Sequence, residues 1–166
     1  LGASEYYRML AARRGDNRIG GRVPRVDTGS ALQIYRAMEE AHRAGILKSV
    51  HTPALGGLAV GLALAAIGGD VGAEIDLAAV PREEGIGEDA LLFSESNSRY
   101  IVTCAEQDRS QLERIFHGLP AAYVGRVTGG EDGGPRLQIR GLDGRPLVDE
   151  AVRALRRSFR RTLEKI

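Results

Sequence analysis

HTPALGGLAVGLALAAIGG, His51 to Gly69, holds the longest apolar run in the chain. From Leu58 to Ile67 only Gly61 interrupts it. The run is too short to cross a bilayer, which needs about 20 apolar residues, and lacks the flanking polar anchors of a membrane span. It reads as a core helix. Yet it opens on Gly56 and Gly57, residues that weaken helices. Around this helix the flanking segments arrange themselves. ILKSVHT, just upstream, predicts a strand running into it, and VGAEIDL, Val71 to Leu77, predicts a strand leaving it.

Outward from there, DTGSALQIYRAMEEAHRAG predicts a helix capped by Asp27 or Thr28 and stopped at Gly45. Its apolar face is read as Leu32, Ile34, Tyr35, Met38 and Ala41. The first ten residues, LGASEYYRML, are helical in pattern, with Tyr6 and Tyr7 expected to face segments outside the chain. RRGDNRIGGRVPRV, which follows, is a loop. AVPREEGIGED reads as a polar loop, RYIVTCA as a strand, and EQDRSQLERIFHG as a short amphipathic helix. AAYVGRVT and RLQIRG read as strands joined by the hairpin-type connection TGGEDGGP. The tail from Val148 reads as one helix, with Val148, Val152, Leu155, Phe159 and Leu163 along one stripe and arginines along the other. Alternating helices and strands plus a hairpin predict an α+β fold, a mixed β-sheet covered by helices.

The chain has 166 residues, 43% hydrophobic and 27% charged, with a net charge of +1. That length and balance fit a single domain over 1–166, and so weak a net charge provides no field to attract nucleic acid or an acidic membrane. The arginine run of the tail reads as a solvated helix face, because no aromatic residues interleave it as a nucleic-acid platform would require. A lone cysteine, Cys104, rules out an internal disulfide and suits a reducing, cytoplasmic setting. The chain starts at Leu1 rather than Met, so it is expected to be a fragment, with 1–26 as an interdomain or N-terminal segment.

Two places carry polar chemistry. A helix start leaves amide N–H groups unpaired and partly positive, and glycine lets another group approach them closely. Gly56 and Gly57 therefore read either as a ligand-facing helix start or as close packing. His51 alone reads as a structural histidine. The second place is LLFSESNSRYIVTC, where Ser94 to Arg99 form a polar cluster ahead of a strand. It reads either as an anion-binding loop, with Arg99 as the cation, or as a turn with Glu95 paired to Arg99.

LGASEY, HTPALGGLAV, GAEIDL, LFSESNSRYIV and YVGRVT, in this order and spacing, resemble the C-terminal domain of the aminoimidazole-ribonucleotide-synthetase-like superfamily. Within it, the chain is most similar to the large (synthetase) subunit of phosphoribosylformylglycinamidine synthase. The resemblance covers nearly the whole chain. It implies an ATP-dependent ligase of purine biosynthesis: the amide oxygen of formylglycinamide ribonucleotide is activated by phosphorylation, and glutamine-derived ammonia displaces phosphate. It also implies ATP and Mg2+ in the full-length enzyme, an upstream ATP-binding domain, a glutaminase partner and a possible homo-oligomer. No catalytic residue or metal ligand is implied on this chain, so the isolated chain is expected to be inactive. Two alternatives are a non-catalytic scaffold or dimerisation domain and another ATP-dependent superfamily enzyme, akin to selenophosphate synthetase or thiamine-phosphate kinase.

Around the glycine pair, the family's His-Asp-x-Ser-Asp-Gly-Gly is here His51-Thr52-Pro53-Ala54-Leu55-Gly56-Gly57, without its acidic residues and serine. The family's Phe-Gly-Glu-Ser-x-x-Arg keeps Glu95, Ser96 and Arg99. Residue by residue, the resemblance carries nucleotide or substrate binding only to His51, Gly56, Gly57, Glu95, Ser96 and Arg99. It also tilts the reading of the glycine pair from packing towards a ligand-facing cleft wall.

Overall fold

Asp27 shows how the local chemistry sets the elements. The computed structural model describes residues 1–16, 20–130 and 133–161. In it, Asp27 accepts from the backbone N–H of Gly29 at 3.0 Å and of Ser30 at 3.4 Å, and from the Ser30 hydroxyl at 2.8 Å. This caps α2 (Thr28–Arg43), as the sequence predicts. The helix stops at Gly45, whose positive φ of 71° suits glycine at that position. Its buried face is made of alanines, Ala31, Ala37 and Ala41, while Leu32 and Tyr35 stay exposed. Small side chains let a neighbouring element lie close to this helix, which the larger residues would prevent.

Two compact units divide the chain. The first comprises Leu1–Gly61 and Pro81–Ala122, the second Leu62–Val80 and Tyr123–Ile166.

The first unit holds α1 (Glu5–Arg13), α2, the first turn of α3 (Gly57–Gly69), α4 (Glu88–Phe93) and α5 (Arg109–Ile115). It also holds a two-stranded antiparallel ribbon of β1 (Leu47–His51) and β3 (Ile101–Cys104), tied across by a Ser49–Thr103 hydroxyl bond of 2.6 Å. Its buried aliphatic side chains include the α2 alanines, Ile46, Leu58, Leu91 and Leu92. Helix α4 forms where the sequence reads as polar loop and apolar flank. Glu88 and Asp89 suit its positive N-terminal end, and Leu91 and Leu92 are buried.

The second unit is a four-stranded mixed sheet in the order β4-β2-β5-β6, from β2 (Gly72–Asp76), β4 (Gly125–Thr128), β5 (Arg136–Arg140) and β6 (Pro146–Ala151). β2 pairs antiparallel with β4 and parallel with β5. Leu137 and Ile139 alternate inward on β5 and join Ile75, Leu77, Val152 and the α3 residues Leu62 and Ala66 in the core. This is the expected α+β class with a mixed sheet. No helix among the described residues is long and apolar enough to cross a membrane.

Two expectations fail here. The strands flanking TGGEDGGP do not form a hairpin; they lie on either side of β2. Part of that connection, residues 131–132, lies outside the described residues. The tail is not one helix from Val148: residues 146–151 are strand β6, with Val148 opposite Ile139, and α6 starts at Val152 (Val152–Arg160). The missed signal is Asp143-Gly144, a hairpin turn in which Gly141 N–H donates to the Arg145 carbonyl at 2.8 Å. Phe159, expected inward, is 57% exposed, and Leu163 lies outside the described residues.

Candidate functional site

The Gly56-Gly57 pair answers to a physical constraint, not a preference. Both residues have positive φ, 82° and 67°. A Cβ on Gly57 would stand 2.6 Å from the Ser94 carbonyl oxygen and 2.8 Å from that of Leu92. The start of α3 thus lies backbone to backbone on the end of α4, and only glycine fits. The close approach seen in the structure is to this chain's own carbonyls.

Glu95 follows directly. One carboxylate oxygen, Oε1, accepts two backbone N–H groups: Gly56 at 2.8 Å and Glu5 at 2.9 Å. Each amide belongs to a helix start, that of α3 and that of α1, where partial positive charge gathers. Glu95 is therefore an internal anion on two helix N-termini. Arg99 serves the opposite polarity. Its guanidinium donates to the Ser94 carbonyl at 3.1 Å, the Ser94 hydroxyl at 3.3 Å and the Leu91 carbonyl at 3.3 Å, which lie at the C-terminal end of α4. Burial pulls the Arg99 pKa down, because desolvation disfavours the charged guanidinium. The turn reading of a Glu95–Arg99 pair is not what forms; each side chain reaches backbone groups instead.

Neighbouring residues complete the frame. Ser98 takes a positive φ of 58°, rare for a non-glycine, and its hydroxyl bonds the Tyr35 hydroxyl at 2.9 Å. Tyr6, expected to face outside segments, stacks on Phe93 at 4.6 Å between ring centroids and donates to Asp89 at 3.0 Å. That hydrogen bond raises the Tyr6 pKa.

Gly56, Gly57, Glu95 and Arg99 are thus brought together around the Ser94–Glu95 peptide. Ser96 follows directly and bonds nothing among the described residues. His51 ends β1, its ring 3.3 Å from where a Cβ on Gly61 would stand. It makes no hydrogen bond among the described residues. Sequence reasoning missed the Glu5 amide, Tyr6, Asp89 and Tyr35. Glu5 is a partner by its backbone alone, which no side-chain pattern could signal. Cys104 is half-buried; burial, then Asp108 and Glu106, push its thiol pKa up. Among the described residues no three His, Cys, Asp or Glu side chains gather to hold a metal ion.

The family model "AIR synthase related protein, C-terminal domain" matches residues 2–138. Among curated proteins, the phosphoribosylformylglycinamidine synthase subunit PurL of Methanocaldococcus jannaschii is 30% identical over 167 aligned residues, covering 100% of this chain and 21% of that protein. The subunit of the same name from Thermococcus kodakarensis is 37% identical over 129 residues, covering 78% and 17%. The chain spans about a fifth of the length of the curated relatives it matches. Among solved structures, Thermotoga maritima PurL complexed with FGAR superposes with a TM-score of 0.72 at 20% identity, over 86% of this chain and 23% of that one. The hydrogenase maturation protein HypE superposes at 0.62 and 18% identity, over 90% and 50%. At such identities the two structures speak for a shared fold.

Proposed function

The chain belongs to the AIR synthase related C-terminal domain family, and from that premise we propose that it is the C-terminal domain of the synthetase subunit of a phosphoribosylformylglycinamidine synthase. The observation that carries this reading is similarity to PurL subunits across the whole chain, at 30% identity over 100% of it. The whole protein then amidates formylglycinamide ribonucleotide in the cytoplasm, with ammonia from a glutaminase partner. ATP, when bound, supplies the phosphoryl group that turns a poor amide oxygen leaving group into a good one.

The residues present here do not fit a magnesium site, since no acidic cluster converges among those described. They do not fit a triphosphate cradle either, because Glu95 already occupies the Gly56 amide. We infer that nucleotide and cation are held by other parts of the whole protein, since the chain spans about a fifth of the length of its curated relatives. In this reading the chain contributes a cleft wall built on the Ser94–Arg99 loop, against which Gly56 and Gly57 lie, with His51 at the end of β1.

The test joins the chain to a PurL subunit from which the matching C-terminal segment has been removed. The expected result is ATP-dependent, ammonia-driven amidine formation by the chimera and none by the isolated chain. Turnover by the chain alone, or a chimera that folds and stays inert, refutes the proposal. A second reading, a domain that only braces its neighbours, draws support from the internal use of Glu95 and Arg99. It predicts that a chimera with any substitution in the Ser94–Arg99 loop that leaves folding intact keeps its turnover.

A further inference from the structure

The Ser94–Arg99 loop is held at three points by side chains that are already committed. Glu95 Oε1 carries the Gly56 and Glu5 amides, Arg99 carries the Ser94 and Leu91 carbonyls, and the Ser98 hydroxyl is bonded to Tyr35. Between these anchors stand two polar side chains with no hydrogen bond among the described residues, half-buried Ser96 and exposed Asn97. A loop fixed this firmly, with one residue in the left-handed region at Ser98, matches a segment whose geometry is set in advance of binding.

We propose a division of labour in this loop. Glu95 and Arg99 are positioning residues, and Ser96 and Asn97 are the pair that touches substrate, at an uncharged polar part such as a hydroxyl or amide. Both presented groups are neutral, a hydroxyl and a carboxamide, and each both donates and accepts. They match a neutral partner better than a phosphate, which arginine suits best. The inference rests on the function proposed above.

One geometric detail makes the positioning role testable. Both amides donate to the same oxygen of Glu95. A glutamine carbonyl oxygen replaces that acceptor, whereas alanine removes it. In the full-length protein, Glu95→Ala is expected to speed hydrogen exchange at the Gly56 and Glu5 amides and to raise the ribonucleotide KM about tenfold. Glu95→Gln is expected to restore most of both. Asn97→Ala is expected to raise KM about tenfold with kcat and melting temperature unchanged, and Ser96→Ala to act in the same direction.

Three results overturn the inference: Glu95→Gln as impaired in turnover as Glu95→Ala while both amides stay protected, an unchanged KM for Asn97→Ala, or both amides protected in Glu95→Ala. The first would mean that the carboxylate charge itself acts on substrate or cation. A wild-type protein without turnover overturns the proposed function and the Asn97 contact with it. The exchange measurement then decides the role of Glu95 alone, which stands if alanine frees both amides and falls if it does not.

Discussion

At Gly57 two demands meet that only one residue satisfies, a positive φ of 67° and a Cβ position 2.6 Å from a carbonyl oxygen. Gly57→Ala is therefore expected to destabilise the protein by about 3 kcal/mol, from left-handed strain plus overpacking. A lowered urea midpoint with unchanged m-value would register it. The glycine pair was legible as a place of close approach. What it approaches was not, because the partner carbonyls of Leu92 and Ser94 stand far along the chain. Glu95 and Arg99 were legible as the charged members of one motif. Four positions apart, they invited pairing with each other. The acceptors and donors they use instead are backbone groups, and backbone groups are the same in every sequence.

Among the elements, α2 was the most legible, because its cap, apolar spacing and terminal glycine agree. The hydrogen bonds from Ser30, then Gly29, hold the Asp27 carboxyl below its usual pKa. A depressed carboxylate stabilises above its unfolded pKa and loses that contribution as pH falls through the folded value. Asp27→Ala is therefore expected to lower the melting temperature at neutral pH, with the difference from wild type shrinking as pH drops through the acidic range; parallel melts across pH check this. β6 was illegible for the opposite reason. Val148 and Val152 fit a helical stripe with the tail that follows, and only the Asp143-Gly144 turn argued for a strand. α4, six residues long, is too short to display a period.

Across the whole molecule, the α+β class was legible and the sheet order was not. Strand neighbours such as Ala73 and Leu137 are joined by nothing local. Between β2 and β5 the chain inserts much of the first unit, Pro81–Ala122. On a ribosome adding about 5–20 residues per second, β2 emerges several seconds before its parallel partner. Until then the nascent sheet has open edges and invites chaperones or wrong pairing. Polypeptides halted before Arg136 are expected to stay protease-sensitive downstream of Leu62, and those released after Ala151 to become resistant. Pulse proteolysis of arrested chains reads the difference, and equal resistance at both lengths would show that the sheet does not wait for its last strands.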